Sequence, residues 1–397
     1  MRTPPAIRTG LENFLDSPPD ALQNRKWGLL YNPASVDPDL RLAPALLHEQ
    51  FPENLVALFT PQHGIFAAKQ DNMVESEDAT DPETGLPAYS LYSKTRVPTD
   101  QSFAKINALV VDLLDVGTRV YTFMYTLSHC MEKAAKRGIP VVVLDRPNPI
   151  GGTLVEGGIL DPAFASFVGR FPIPMRHGLT MGELARLFNE EFGIGCDLTV
   201  VPMSGWSRDM LWEDTGLFWV PPSPNLPQAA SALVYPGQVL WEGTNVSEAR
   251  GTAMPFLMCG APFVDPGEVL ARLSPEDTAG VILRPCAFEP TSNKWEGALC
   301  AGFSFHVTDP KAFRPVRLSL RLLEAVCRLY PKSFAWKQPP YEYEYERMPI
   351  DLILGTDRVR KALETGEPLD PILADWEQQA REFEALSAKY RLYPEGA

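Results

Sequence analysis

The sequence predicts an α/β fold of the Rossmann-like or flavodoxin-like kind, in which helices cover a parallel sheet. Short, continuously apolar runs recur in the first half of the chain, and segments with helical spacing separate them. Continuous apolar runs are typical of strands that are buried on both faces of a parallel sheet. The predicted strands are KWGLLY at 26–31, LVALFT at 55–60, ALVVDLL at 108–114 and PVVVLD at 140–145.

Helices are predicted between these strands and again near the C-terminus. DLRLAPALLHEQF at 39–51 lies between the first two strands, and YTFMYTLSHCMEKAAKRG at 121–138 lies between the last two. The second segment ends in basic residues and a glycine, which favour the last turn of a helix and the position after it. Residues 315–331 and 368–393 also have helical spacing, with their apolar residues on one face.

One segment of the C-terminal third has a different pattern. PPYEYEYERMPIDLILG at 339–355 alternates aromatic and acidic residues, which predicts a strand or an extended loop packed against a cleft. We assign no catalytic residue to the part of the chain that follows position 263.

Composition limits the classes of protein and partner. The chain has 397 residues, 45% of them hydrophobic, so we expect two domains, at 1–235 and 236–397. The formal net charge is -14 and no long basic run occurs, so no nucleic-acid partner is expected.

The sequence lacks both a signal-peptide stretch and a run of about 20 apolar residues, so we expect a cytoplasmic protein that does not enter a membrane. The six cysteines are widely spaced and predict reduced core residues.

Polar residues follow each of the four predicted strands. Ligands bind beyond the carboxyl ends of the strands in open parallel sheets, so these loops predict one polar crevice. The alternative for any one of these residues is ordinary polarity of an exposed loop. The residues concerned are Asn32 and Ser35, then Gln62, His63 and 69–77, then Asp115 and Arg119, then Arg146 and Asn148.

Several reaction classes lack their sequence signals. A dinucleotide or nucleotide cofactor requires a glycine-rich phosphate loop, and neither GxGxxG nor GxxxxGK[ST] occurs. The glycines of NPIGGTLVEGGIL at 148–160 have another spacing and predict a turn that presents Glu156. No GxSxG motif occurs, and the five histidines are scattered, so neither a serine nucleophile nor a metal site is predicted. We therefore expect no cofactor and no metal.

Carboxylate chemistry remains, and glycoside hydrolysis is the reaction that needs it. Such cleavage uses one carboxyl group held protonated near neutral pH and a second carboxylate or positioned water. Aromatic and amide side chains at 203–227 and 234–256 favour sugar binding, with ordinary core packing as the alternative. The carboxyl groups predicted to lie in loops are Glu75, Glu77, Asp115, Asp145, Glu156 and Glu242.

The chain also resembles a known family over nearly its whole length. Ordered blocks carry the resemblance, among them LFTPQHGIFAAKQDNMVES, DLLDVGTRVYTF, VVVLDRPNPIGG, SFVGRFPIPMRHGLTMGELA, WVPPSPNLP and EGTNVSEARGTAMPF. They are similar to blocks of domain-of-unknown-function family 1343, whose members are exo-β-N-acetylmuramidases of the NamZ type. This resemblance implies a Rossmann-like N-terminal domain, a smaller α/β C-terminal domain, and cofactor-free release of N-acetylmuramic acid from the non-reducing end of peptidoglycan fragments.

The resemblance also implies roles for the candidate residues. Many family members carry Glu where this chain has Gln62, and a glutamine cannot transfer a proton at neutral pH, so another acid is required. We expect Glu156 as acid or base, with Glu75 as a replacement acid and His63 orienting the carboxyl group. Asp115 is either the counterpart of Glu156 or a residue that holds Arg119. The lactyl carboxylate and acetamido group of the sugar suit guanidinium and amide partners. The predicted substrate-binding residues are Asn32, Gln62, Asn72, Arg119, Arg146, Asn148, Arg176, His177, Asn225, Glu242 and Asn245.

Two alternatives to the muramidase remain at this point. Gln62 favours a non-catalytic protein that binds muropeptides or amino sugars on the same fold. A hydrolase acting on an amide or ester of the same sugars is the other alternative.

Overall fold

The computed structural model describes residues 7–69, 73–93 and 95–396, and it shows an α/β protein with two sheets. The larger sheet has seven strands in the order β3-β4-β2-β1-β5-β6-β7. Its strands are β1 Trp27–Tyr31, β2 Leu55–Thr60, β3 Ala79–Thr80, β4 Pro87–Ser90, β5 Ala108–Asp112, β6 Val141–Leu144 and β7 Leu198–Val201. The four strands predicted from the apolar runs are present, and the predicted α/β fold class is confirmed.

The larger sheet is parallel except at one edge, where β3 runs antiparallel to β4. The central strand β1 explains the continuous apolar runs, because both faces of this strand are covered. Leu29 packs into one hydrophobic cluster, and the next residue, Leu30, packs into another on the opposite face. In register, Leu29 lies beside Leu58 on one side and Val110 on the other.

Helices fill the connections between strands and much of the second half. The predicted end at Gly138 is observed, with that glycine in the left-handed conformation at φ 62°. No helix in the described ranges combines the length and apolar character needed to cross a bilayer. The helices are α1 Gly10–Asp16, α2 Ala43–Gln50, α3 Asp100–Phe103, α4 Phe123–Arg137, α5 Met181–Glu190, α6 Ala229–Gln238, α7 Pro266–Leu270, α8 Pro315–Leu329, α9 Pro349–Leu354, α10 Arg358–Thr365 and α11 Asp370–Ser387.

The second sheet is antiparallel and belongs to the C-terminal half. Its order is β8-β10-β9, formed by β8 Met258–Ala261, β9 Val281–Phe288 and β10 Cys300–Val307. Helices α6 and α8 pack closely, because Gly237 leaves room for backbone: a Cβ there would lie 2.0 Å from the carbonyl oxygen of Pro315. The predicted domain division between positions 235 and 236 falls inside α6 and stays a prediction.

Candidate active site

A small cavity lies beyond the carboxyl ends of β2 and β5, where the C-terminal half covers the sheet edge. The loop after β2 contributes Gln62 and His63, and the segment before α4 contributes Tyr121 and Thr122. The C-terminal half closes the opposite side of the cavity. Its contribution to the lining is Tyr235, Glu242, Arg250, Phe256, Tyr341 and Glu342.

Glu342 is the carboxyl group that lies beside Gln62. Its Oε2 accepts a hydrogen bond from the Tyr92 hydroxyl at 2.6 Å, and its Oε1 lies 3.5 Å from the donating Nε2 of Gln62. Gln62 is itself oriented, because its Oε1 accepts from the Thr122 hydroxyl at 3.0 Å. The Glu342 side chain is buried. Glu342, which belongs to the C-terminal half of the chain, therefore supplies a carboxyl group beside the side-chain amide of Gln62.

The environments of Glu342 and Glu242 drive their protonation in opposite directions. Burial raises the pKa of Glu342 to about 7, and the negative charge of Glu242 adds to this, against the hydrogen bonds from Tyr92 and Gln62. The pKa of Glu242 is lowered: its burial would raise the value, but the charge and hydrogen bond of Arg250 outweigh that effect. Near neutral pH, Glu342 holds a proton for much of the time, while Glu242 is ionised. Paired carboxyl groups with separated pKa values are the arrangement that acid and base catalysis requires.

A chain of ion pairs holds Glu242 in place. The Arg250 guanidinium contacts Glu242 at 2.6 Å and Glu248 at 3.2 Å, and Glu248 also accepts from the Lys294 ammonium at 2.7 Å. The second oxygen of Glu242 accepts from the Tyr341 hydroxyl at 2.7 Å. Buried charges are stable in proteins when they are paired and hydrogen-bonded in this way. Glu242 is thus a rigid, ionised carboxylate.

His63 lines the cavity, and a backbone contact determines which of its ring nitrogens carries the hydrogen. Its Nδ1 lies 2.6 Å from the carbonyl oxygen of Lys69, which can only accept, so Nδ1 carries the hydrogen and Nε2 carries the lone pair. Burial lowers the pKa of His63 to about 4, and the Arg250 charge also lowers it, against the Lys69 hydrogen bond. The ring is therefore neutral at physiological pH. Among the described residues, no group of three or more His, Cys, Asp or Glu side chains is placed to hold a metal ion.

The structure brings four of the predicted site residues into this cavity: Gln62, His63, Asn225 and Glu242. Glu75 lies outside the lining as an exposed residue, although its charge acts on Tyr343, the neighbour of Glu342. Asn72 lies outside the described residues.

The three arginines predicted to bind the lactyl carboxylate have structural partners instead. Arg146 forms a buried two-nitrogen ion pair with Asp112, and Arg119 donates to the carbonyl oxygens of Gly158, Ile173 and Ile353. Arg176 is buried and donates from Nη2 to the carbonyl of Ile150, while its Nε and Nη1 have no acceptor among the described residues. None of the three lines the cavity. Their buried guanidinium groups connect backbone segments because arginine carries five N–H donors.

The remaining predicted polar residues also stabilise loops. The amides of Asn148 and Asn245 bond backbone groups at 150 and 179 and at 333 and 335. Asn32 accepts from the Ser35 hydroxyl at 3.0 Å. Asp115 accepts from the backbone N–H of Gly117 at 2.7 Å and faces the Nε2 of His177 at 3.3 Å. These side chains shape the loops that carry the cavity lining, and they are not part of that lining.

Glu156 lies at the start of α8 rather than in the cavity. Its Oε1 accepts from the backbone N–H of Arg317 at 2.8 Å, in the first turn of that helix. Negative charge at this end is favoured because the first N–H groups of a helix have no partner within it. Burial raises the pKa of Glu156, and the Arg317 N–H and the Arg176 charge oppose that shift. The geometry therefore separates Glu156 from Gln62 and His63, so the predicted catalytic constellation around Glu156 is not assembled.

Glu342, Tyr341 and Tyr92 are not among the residues predicted from the sequence. Tyr341 and Glu342 belong to the alternating aromatic and acidic segment for which a strand or extended loop was predicted. The first part of that segment forms a turn in which the N–H of Glu344 donates to the carbonyl of Tyr341 at 2.9 Å, with Glu342 at φ 47° and Tyr343 at φ 67°. Its second part forms helix α9, so the prediction of a strand or extended loop was wrong there. The alternation of acids and aromatics was the available signal, because it places carboxyl groups among apolar rings.

Comparisons with known proteins agree with this architecture. The N-terminal and C-terminal family models of the exo-β-N-acetylmuramidase NamZ match residues 27–230 and 233–393. The peptidoglycan β-N-acetylmuramidase NamZ of Bacillus subtilis is 41% identical over 389 residues, which cover 98% of this chain and 92% of that protein.

Two crystal structures of DUF1343 family proteins from Bacteroides fragilis are also similar. One has a TM-score of 0.88 at 33% identity and covers 98% of this chain and 100% of its own. The other has a TM-score of 0.76 at 29% identity, with coverage of 98% and 99%. The family models together span most of the sequence, and the B. subtilis relative is well above 30% identical, so the chain belongs to the NamZ family of exo-β-N-acetylmuramidases.

Proposed function

We propose that this protein is a glycosidase that releases N-acetylmuramic acid from the non-reducing end of peptidoglycan fragments, with Glu342 as the general acid. Family membership and the 41% identical B. subtilis relative support the reaction and the substrate. The observation that carries the assignment of the acid is the pair of buried carboxyl groups in one cavity, Glu342 with a raised pKa and Glu242 with a lowered one.

The proposed reaction uses the two carboxyl groups differently. Glu342 donates its proton to the glycosidic oxygen while the bond from that oxygen to the anomeric carbon breaks. The ionised Glu242 stabilises the positive charge that develops on the sugar ring. A water oxygen then bonds to the anomeric carbon, and the proton that this water releases restores the acid form of the site. The Nε2 lone pair of His63 is available to accept a hydrogen bond from a sugar hydroxyl or amide.

Turnover of para-nitrophenyl β-N-acetylmuraminide tests the proposal, with the corresponding N-acetylglucosaminide measured in parallel. We expect the muraminide to be hydrolysed. On a peptidoglycan disaccharide with N-acetylmuramic acid at its non-reducing end, whose leaving sugar oxygen must be protonated, the Glu342→Gln variant should lose about 10² to 10⁴ in kcat, the range that general acid catalysis contributes. The matched control is Glu346→Gln, an exposed glutamate in the same segment, which should keep wild-type kcat.

Two results would contradict the proposal in different ways. Wild-type kcat on the disaccharide in a folded Glu342→Gln variant would remove Glu342 as the acid. Thermal stabilisation by N-acetylmuramic acid without release of nitrophenol would instead indicate the binding-protein alternative that Gln62 raised.

A further inference from the structure

The hydroxyl of Tyr235 is a polar group in the cavity lining that has no partner within the protein. Tyr235 belongs to α6 and is 8% exposed. No hydrogen bond joins its hydroxyl to another residue of the described ranges 7–69, 73–93 and 95–396. The hydroxyl of Tyr121, in the same lining, is closed to solvent, whereas the Tyr235 hydroxyl is not among the closed atoms. A ligand in the cavity can therefore reach the Tyr235 hydroxyl.

Two aromatic neighbours hold the ring of Tyr235 in place. The centroid of its ring lies 4.9 Å from that of Phe256, with an angle of 88° between the ring planes, and 6.2 Å from that of Tyr121, with an angle of 89°. Both contacts are edge-to-face arrangements, which are favourable for aromatic pairs. Because the ring is already held, little conformational freedom is lost when its hydroxyl binds a ligand.

The Tyr235 hydroxyl is a hydrogen-bond donor at neutral pH. Burial raises the pKa of Tyr235, and the charge of Glu242 raises it further, against the charge of Arg250. The hydroxyl therefore keeps its hydrogen. The nearby carboxylate of Glu242 is engaged, because its two oxygens accept from Arg250 and Tyr341. The hydrogen of the Tyr235 hydroxyl is thus available to an acceptor on a ligand.

The surroundings of this donor favour a neutral acceptor that carries an apolar group. The negative charge of Glu242 acts on Tyr235, and the charge of Arg250 is shared by two carboxylates, so a further carboxylate here would be repelled. Phe256 and Val168 supply apolar lining in the same cavity. An acetamido group combines a carbonyl oxygen, which can only accept, with a methyl group that apolar side chains can cover.

We propose that the Tyr235 hydroxyl donates a hydrogen bond to the acetamido carbonyl of N-acetylmuramic acid and is the residue by which this site selects N-acetylated sugars. This inference rests on the proposed glycosidase function, since it concerns the substrate of the same cavity. Phe256, which already packs against the Tyr235 ring, covers the acetamido methyl group. A sugar without the acetamido group leaves the hydroxyl without an acceptor and gains nothing from it.

The test combines two proteins with two ligands. The wild type and Tyr235→Phe are titrated with N-acetylmuramic acid and with its 2-deoxy analogue, which lacks the acetamido group, and calorimetry with competition measures the affinities. We expect Tyr235→Phe to bind N-acetylmuramic acid about 5 to 100 times more weakly, the range for a buried carbonyl left without a donor. The affinity for the analogue should change by less than about twofold, because the analogue has no acceptor at that position.

Tyr89→Phe is the matched control. Tyr89 also packs on an aromatic ring, at 5.6 Å from the centroid of Phe59, but it does not line the cavity. This variant should keep both wild-type affinities. The melting temperature of Tyr235→Phe should match that of the wild type, because the lost hydroxyl has no partner in the part of the chain that the structure describes. Circular dichroism checks that both variants are folded.

Binding and turnover separate failure of this inference from failure of the proposed function. If Tyr235→Phe weakens both ligands equally, or weakens neither, the inference is overturned even when a peptidoglycan disaccharide is hydrolysed. If Tyr235→Phe weakens only N-acetylmuramic acid while the wild type releases no sugar from the disaccharide, the inference stands and the glycosidase proposal fails.

Discussion

At the scale of single residues, the proposed chemistry depends on the environment of one carboxyl group. Glu342 is buried, and the same burial that costs its ionised form free energy keeps it protonated near neutral pH. Tyr92 and Gln62 donate hydrogen bonds that partly offset this effect. The pKa of the acid is therefore set by a balance between burial and a small number of identifiable donors.

The Tyr92→Phe substitution should shift the pH dependence of kcat/KM. The Tyr92 hydroxyl stabilises the ionised form of Glu342, so its removal raises the pKa of Glu342. The alkaline limb of the plot of kcat/KM against pH should then move to higher pH by about one unit. Rates at several pH values on a peptidoglycan disaccharide, whose leaving sugar oxygen needs the proton, measure this shift. Tyr89→Phe is the control, since Tyr89 packs on Phe59 and should leave the profile unchanged. A downward shift, or none, would contradict the assigned acid.

Glu342 should also make stability depend on pH. The pKa of Glu342 rises from 4.5 to about 7 on folding. Its contribution to the free energy of unfolding is therefore fully present below about pH 4.5 and is lost as the pH rises through about 7. The wild type should lose up to about 3 kcal/mol of unfolding free energy over this window relative to Glu342→Gln. Denaturant unfolding at pH 5 and pH 8 measures the difference. Glu346→Gln should follow the wild type, and a Glu342→Gln variant that does the same would contradict the raised pKa.

At the scale of secondary structure elements, loops and helix ends explain why many predicted site residues are structural. The segment after β6 turns back over the sheet, and its polar side chains bond backbone groups instead of a ligand. Glu156 is the clearest example, because it accepts from the first turn of α8. An acidic loop residue suits the start of a helix because the first N–H groups of the helix have no partner within it. Active sites favour acidic residues for the same reason, since they also contain hydrogen-bond donors without partners.

The Glu156→Ala substitution should lower stability without affecting catalysis. Loss of an acceptor at the start of α8 is expected to cost about 1 kcal/mol of unfolding free energy, as for other helix caps. Chemical denaturation and kcat/KM on the chromogenic muraminide measure the two effects. Glu289→Ala, at an exposed position directly after β9, is the control for stability. A loss of a hundredfold or more in kcat by a stably folded Glu156→Ala variant would return this residue to the catalytic site.

At the scale of the whole molecule, the C-terminal end of the chain is anchored on the N-terminal sheet. The Tyr393 hydroxyl donates to Asp145 at the end of β6 and accepts from the backbone N–H of Met203. Next to it, the N–H of Leu392 donates to Glu183, which also forms a buried ion pair with Arg208. These contacts connect the end of α11 to the sheet whose edge carries Gln62 and His63.

The Tyr393→Phe substitution tests this anchor. Asp145 would lose one of its donors, and we expect a decrease of about 1 to 3 kcal/mol in unfolding free energy. The kcat of the folded variant should stay at the wild-type level, because neither residue lines the cavity. Tyr345→Phe, which removes an exposed hydroxyl, serves as the control. Equal stability of the two variants would show that the anchor contributes nothing.

The sequence by itself determined the α/β fold, four buried strands, the helices α2, α4, α8 and α11, and the loop after β2 that carries Gln62 and His63. Apolar periodicity and helix-end signals are local properties of the chain, so they can be read without the tertiary structure. Only the tertiary structure decided which carboxyl groups meet. Gln62 and Glu342 are 280 positions apart, and their contact depends on how the C-terminal half packs over the sheet edge. Whether Arg146 faces a ligand or Asp112, and whether Glu156 faces a sugar or a helix end, also depends on packing, since the residue types suit both partners equally.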